Sequence, residues 1–153
     1  ARRELWDLLF EFAGQGMTLF VTTHYMDEAE RCSHVGYIHL AKLIVCGVPS
    51  DLKHLPSVNR PGTRRLDVTC DFVTRGLQAL RHEPGVLSAT VFGQSMHLLV
   101  DESITEEQIR GLLAANGIRE ADVRPIAPSL EDVFVALTAE ENRQRNGKEV
   151  ARV

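Results

Sequence analysis

Leu5, Leu8, Leu9 and Phe12 recur at helical spacing, which predicts an amphipathic helix over residues 2–13, ended by Gly14 and Gly16. Residues 18–23, Thr-Leu-Phe-Val-Thr-Thr, are β-branched, aromatic and apolar on both faces. That pattern predicts a strand covered on both sides, as in a parallel sheet. A short helix is expected from Tyr25 to about Cys32, with Asp27 and Glu28 in its first turn, where they complement the helix dipole. Residues 35–40 and 42–46 read as two short strands around a tight turn, and Ser50 as the cap of a helix over 51–55. A lone strand needs neighbours for its backbone groups. Residues 1–55 are therefore expected to be the tail of a larger α/β domain whose other strands lie upstream.

Pro56, Ser57, Asn59, Pro61 and Gly62 interrupt every period, so residues 56–63 read as a linker. Beyond it, residues 65–72 alternate with Leu66, Val68, Cys70 and Phe72 on one face. A helix is expected over 74–82, carrying Leu77 and Leu80 and stopped by Pro84-Gly85. Strands over 86–92 and 96–100 are joined through Gly93-Gln94-Ser95, which reads as a three-residue hairpin loop. Thr105-Glu-Glu-Gln108 is a capping box that opens a helix with Ile109, Leu112 and Leu113 on its core face. Asn116-Gly117 closes it before a last strand over 118–126. The order βαββαβ is the ferredoxin-like arrangement, expected over residues 64–138 together with a final helix. That helix opens on a second capping box, Ser129 to Asp132, with Leu130, Val133, Phe134 and Leu137 in one stripe. Residues 139–153, mixed in charge, read as a solvated polar tail.

Composition narrows the picture. The apolar fraction of 44% and charged fraction of 25% are those of ordinary globular chains. A net charge of −4 argues against a dedicated nucleic-acid binder. The strands over 86–92 and 96–100 also lack the basic-aromatic pattern of an RNA-recognition sheet. The longest apolar run falls well short of the roughly 18–20 residues that cross a bilayer. The opening Ala-Arg-Arg-Glu is not a secretory leader, and a first residue other than Met suggests a piece of a longer protein. Cys32, Cys46 and Cys70 form no C-x-x-C pair and read as small buried hydrophobes of a reduced, cytosolic protein. With His34 and His39 they match no zinc spacing, so no metal site is expected. Arg60, Arg64 and Arg65 read as a solvated basic hinge, Glu131 and Asp132 as first-turn acids, and Trp6 as packing.

His24 is the candidate for chemistry. It stands where the expected buried strand ends and a helix begins, and open α/β sheets bind ligands beyond the C-terminal ends of their strands. An imidazole there can donate to a phosphate oxygen, or equally serve as a half-buried histidine bonded to a carbonyl.

Residues 19–32, Leu-Phe-Val-Thr-Thr-His-Tyr-Met-Asp-Glu-Ala-Glu-Arg-Cys, resemble the switch-histidine segment of ABC-transporter ATPases, most closely the ABC-2 exporter branch. Gly47-Val-Pro-Ser-Asp-Leu52 resembles the turn that follows there, and residues 2–12 resemble the helix after the family's D-loop. Pro128-Ser-Leu-Glu-Asp-Val-Phe134 resembles the close of a small domain appended to these ATPases. The resemblance implies a C-terminal piece of a P-loop ATPase α/β domain over 1–55, followed by the appended domain. It implies that His24 reaches the γ-phosphate of ATP, with Mg, when two ATPase domains close head to tail. It also implies a cytoplasmic protein, peripheral to the membrane through a transmembrane permease subunit. Thr23 is expected to cap.

This chain departs from the family in having no G-x-x-x-x-G-K-[ST], no Ser-Gly-Gly signature and no strand ending in Asp-Glu. Ala41 stands where the family has a turn glycine, and Ser33-His34 replaces an acidic-basic pair. The chain alone is therefore expected to hold no cofactor and to be inactive. Its appended domain is expected to regulate, to dimerise or, as the alternative reading, to bind a small-molecule effector. A homodimer is expected through the uncovered faces of residues 18–23.

Overall fold

The computed structural model describes residues 2–150, with side chains to residue 145. The chain packs as two compact units, Ala1–Arg31 and Cys32–Val153.

In the first unit, α1 spans Arg2–Gly14 and α2 spans Met26–Ala29. Trp6 is buried, and its ring lies 5.8 Å from that of Phe10. Residues 18–23 were expected as a doubly covered strand. They pair with no strand among the described residues, and Phe20 is 95% exposed. The reason is the one that made the pattern readable: a strand apolar on both faces has no ladder of its own and takes shape only between neighbours.

The second unit opens on a hairpin, β1 (Val35–His39) and β2 (Lys42–Gly47), with a bulge between Tyr37 and Ile38. His39 faces Lys42 across a two-residue turn in which Leu40 and Ala41 both take positive φ, 48° and 60°. Right-handed strand twist demands that geometry, and side chains other than Gly or Asn adopt it at a cost. Helix α3 (Pro49–Leu52) begins one residue before the expected cap Ser50. Proline's fixed φ is already helical and its missing N–H costs nothing at the first position, so Val48 becomes the boundary.

Next come β3 (Thr63–Cys70), α4 (Val73–Leu80), β4 (Val86–Phe92), β5 (Ser95–Asp101), α5 (Glu106–Ala115), β6 (Ala121–Pro125) and α6 (Leu130–Val150). The four later strands form one antiparallel sheet in the order β4-β5-β3-β6. Leu66, Val68 and Cys70 of β3 and Met96, Leu98 and Val100 of β5 lie on one face, in a core with Leu80, Ile109 and Leu113 of α4 and α5. Phe72, expected on that face, is exposed at the turn into α4. The β4–β5 loop is one residue shorter than expected: Phe92 pairs with Ser95, and Gly93 takes φ 60° at the first turn position.

The capping box of α5 forms, with Gln108 N donating to Thr105 Oγ1 (3.3 Å) and Thr105 N to Gln108 Oε1 (2.7 Å). At the other end Ile118 N donates to Leu113 O and Gly117 N to Ala114 O. Ile118 is therefore the apolar clasp of the helix end rather than the start of a strand, and β6 begins three residues later. Helix α6 continues to Val150, through most of the stretch expected to be a solvated tail.

Candidate functional site

His24 is exposed, just before α2, and makes no hydrogen bond among the described residues. Its ring lies 4.1 Å from that of Tyr25, tilted by 34°. The guanidinium of Arg2 sits 3.9 Å from the centre of the Tyr25 ring. The segment is anchored through Glu28, which accepts from Thr23 Oγ1 (2.5 Å) and from Arg2 Nε and Nη2 (2.9 and 2.7 Å). The Thr23 hydroxyl and then the Arg2 guanidinium hold the Glu28 carboxyl below its ordinary value. Thr23 Oγ1 also accepts from Tyr25 N at 3.0 Å. The capping expected of Thr23 does not form: Tyr25 is the N-cap of α2, with no side-chain cap, and the Thr23 hydroxyl instead closes a local turn around His24. The outcome is an anchored loop carrying an exposed imidazole that lies against Tyr25 and makes no hydrogen bond among the described residues.

A second polar constellation lies wholly within the second unit, and sequence reasoning passed over it. The period-2 alternation that puts Leu66 and Val68 in the core turns Arg65 and Asp67 to the opposite face of the sheet, beside His97 of β5 and Arg124 of β6. Helix α6 covers this face. Arg65 Nη1 donates to Asp132 Oδ1 at 2.9 Å, and Nη2 to the carbonyl of Val58 at 3.0 Å. His97 Nδ1 lies 3.1 Å from both Asp132 oxygens, while Arg124 holds Asp67 Oδ2 at 2.8 and 3.1 Å. Asp132 also performs its capping role, accepting from Ser129 N and Ser129 Oγ at 2.9 and 3.0 Å. Arg65, Asp67 and Asp132 are 9%, 5% and 3% exposed.

Burial alone would raise the Asp132 carboxyl. Hydrogen bonds from His97 and the Ser129 backbone, with the charge of Arg65, reverse this and hold it below its ordinary value. Burial lowers Arg65, and Asp132 opposes that shift. The basic group expected as a solvated hinge is therefore divided. Arg65 is buried and paired, Arg64 Nη2 meets Glu106 Oε1 at 2.6 Å, and only Arg60 is exposed. Asp132 was legible as a cap but not as the hub of a buried ion network. The available signal was Leu98-Leu99-Val100, a run apolar on both faces, which only a sheet covered on both sides requires.

No protein-family model matches the chain. Among curated proteins, it is 31% identical over 144 residues to the "Probable multidrug ABC transporter ATP-binding protein YbhF" of Escherichia coli strain K12, covering 90% of this chain and 23% of that one. It is 27% identical over 157 residues to the "Daunorubicin resistance ATP-binding protein DrrA2" of Streptomyces coeruleorubidus (99% and 47%). It is 31% identical over 149 residues to the "Nod factor export ATP-binding protein I" of Cupriavidus metallidurans (94% and 44%). The chain spans between about a quarter and half the length of these relatives. It is, over some nine tenths of its own length, a homologue of the ATP-binding proteins of ABC exporters, corresponding to a fraction of each.

Proposed function

We propose that this chain is the C-terminal portion of the ATP-hydrolysing subunit of an ABC-2 exporter, from just after the D-loop through the switch histidine and a small appended domain. The observation that carries the reading is the likeness to several exporter ATP-binding proteins across nine tenths of the chain. It is joined by an exposed His24 on a loop anchored by Thr23, Glu28 and Arg2.

The chain's residues fit one contact to a nucleotide and no more. His24 is free to donate to a terminal phosphate oxygen, while no glycine-rich cradle or phosphate lysine stands in the 153 residues. In the intact protein His24 positions charge and water at the phosphate by hydrogen bonding, the kind of contribution that dominates phosphoryl transfer. ATP with Mg is the cofactor of the whole, and the chain alone is inactive.

Residues 1–55 belong in this reading to the P-loop ATPase α/β domain. The upstream strands of that domain would cover the apolar segment 18–23, whose Phe20 is now bare. Residues 56–63 connect it to a ferredoxin-like domain over 64–138, a description supported by the order βαββαβ and the sheet order β4-β5-β3-β6. That domain regulates or dimerises, and residues 139–153 follow it. The intact subunit pairs with a second ATPase domain and docks on a transmembrane permease from the cytoplasmic side. No helix among the described residues is long and apolar enough to cross a membrane itself.

The test is to extend the chain upstream along its gene. The added sequence should contain G-x-x-x-x-G-K-[ST] and an apolar strand ending in Asp-Glu, and the extended protein should hydrolyse ATP. An extension without those motifs, or without ATPase activity, rejects the reading.

A further inference from the structure

On the covered face of the sheet, between β4, β5 and α6, lies a cavity of about 150 Å³ that the ATPase reading does not use. Three arginines line it: Arg60, Arg65 and Arg143. Their states differ. Arg65 is buried and paired with Asp132, yet its Nε meets no partner among the described residues. Arg60 and Arg143 are exposed and have no acidic partner among the described residues. The single carboxylate on the wall, Asp132, is already taken by Arg65, His97 and Ser129. Two solvent-exposed cations without an acidic partner among the described residues and one buried N–H donor without an acceptor thus surround one small space, with Ser88 and Thr90 on the sheet side. Buried donors normally find acceptors, so an unmatched donor beside two unpaired guanidinium groups points to an acceptor supplied from outside. The lining also has apolar parts on both sides, Leu99 on the sheet and Val135 and Ala136 on α6.

We propose that this cavity is a binding site for a small organic carboxylate. The anionic head is held by Arg60, Arg143 and Arg65 Nε, and the short apolar body rests on Leu99, Val135 and Ala136. Size sets the class. A cavity of about 150 Å³ takes a benzene-sized body, whereas drug-sized ligands and nucleotides need roughly 300 Å³ or more. Guanidinium groups suit a carboxylate through paired N–H donors. The apolar parts of the lining favour a carboxylate with a carbon body over a bare inorganic anion. Because α6 supplies one wall and β4–β5 the other, an occupant joins the two and stabilises the second unit by mass action.

The experiment is isothermal titration calorimetry and thermal shift on the 153-residue chain, with benzoate and isobutyrate as probes and inorganic phosphate and sodium chloride at matched ionic strength as comparisons. The carboxylates should bind saturably and raise the melting temperature. Arg143→Ala and Arg60→Ala, both at exposed positions, should each weaken binding about tenfold or more without lowering the melting temperature of the free chain. Ala139→Phe, which puts a large side chain at an exposed lining position, should abolish binding in a chain that remains folded. Absence of saturable carboxylate binding overturns the proposal. Carboxylate binding unchanged by both arginine replacements overturns it as well. Phosphate binding without carboxylate binding replaces it with an inorganic-anion site.

Discussion

Asp132→Ala removes in one step the carboxylate that pairs with Arg65, meets His97 and caps α6. The side chains of Arg65 and Asp132 are 8% and 2% exposed, so water does little to compensate the loss. The partner left behind is the larger cost. Stranding one member of a buried ion pair destabilises by about 3–5 kcal/mol, because its charge stays desolvated and unmatched. Loss of the cap at Ser129 adds about 1 kcal/mol. The 2.9 Å bond from Arg65 Nη1 and the two 3.1 Å contacts from His97 place this variant toward the upper part of that range, roughly 5–6 kcal/mol with the cap included. Domains of this size are stable by about 5–15 kcal/mol, so the variant stands close to unfolding. Its melting temperature should drop by roughly 10–20 °C.

The assay is urea or thermal denaturation followed by circular dichroism, together with the double variant Arg65→Met/Asp132→Ala. Replacing the stranded guanidinium by an apolar side chain should recover about 1–3 kcal/mol of the loss. A single variant within about 1 kcal/mol of the original chain would refute the reasoning. A double variant less stable than the single one would do so too.

Three further outcomes follow from particular residues. Asp132 is held below its ordinary value, so its contribution is fully present above about pH 4 and is lost as pH falls through its lower folded value; acid titrations of stability should show a fall below that point which Asp132→Asn flattens. Ala41 pays for a φ of 60° in the β1–β2 turn, and Ala41→Gly should raise stability by roughly 0.5–1 kcal/mol after the entropic cost of glycine, read from the shift in denaturation midpoint. Gly111 sits within α5, where a Cβ would meet nothing within 4 Å, so Gly111→Ala should stabilise by about 0.5–1 kcal/mol, and no gain in midpoint would contradict that.

What the sequence made legible was local or periodic. The capping boxes at Thr105 and Ser129 form because each requires only its own helix end. The order of the four later strands followed from Leu66, Val68 and Cys70 alternating and from turn chemistry at Gly93 and Asn116-Gly117. What stayed hidden depends on distant segments meeting. Arg65 and Asp67 sit at outward positions of an alternating strand, where charge ordinarily means water. Only the return of α6 over that face buries them, and no pattern within β3 encodes the return. The stretch 139–150 looked like a tail because its charges are mixed, yet Lys42 Nζ reaches Glu141 Oε1 at 3.1 Å and the helix runs on. The rings of His39 and Phe134 stand nearly perpendicular with centroids 6.5 Å apart, and Tyr37 OH donates to Leu130 O at 2.8 Å. These contacts tie the hairpin to α6, a pairing that a break read at residues 56–63 does not foresee. For the candidate site, His24 was named from its place and its neighbours' identities. Its anchoring by Thr23, Glu28 and Arg2 needed coordinates, because Arg2 lies 26 residues from Glu28.

The central claim is that His24 serves ATP hydrolysis in the intact subunit, and steady-state ATP turnover of the upstream-extended protein carrying His24→Ala tests it most directly. The account predicts turnover reduced by about 100-fold or more, the scale of losing one positioned donor at a developing charge, with nucleotide binding retained. Turnover equal to that of the unsubstituted protein would contradict it.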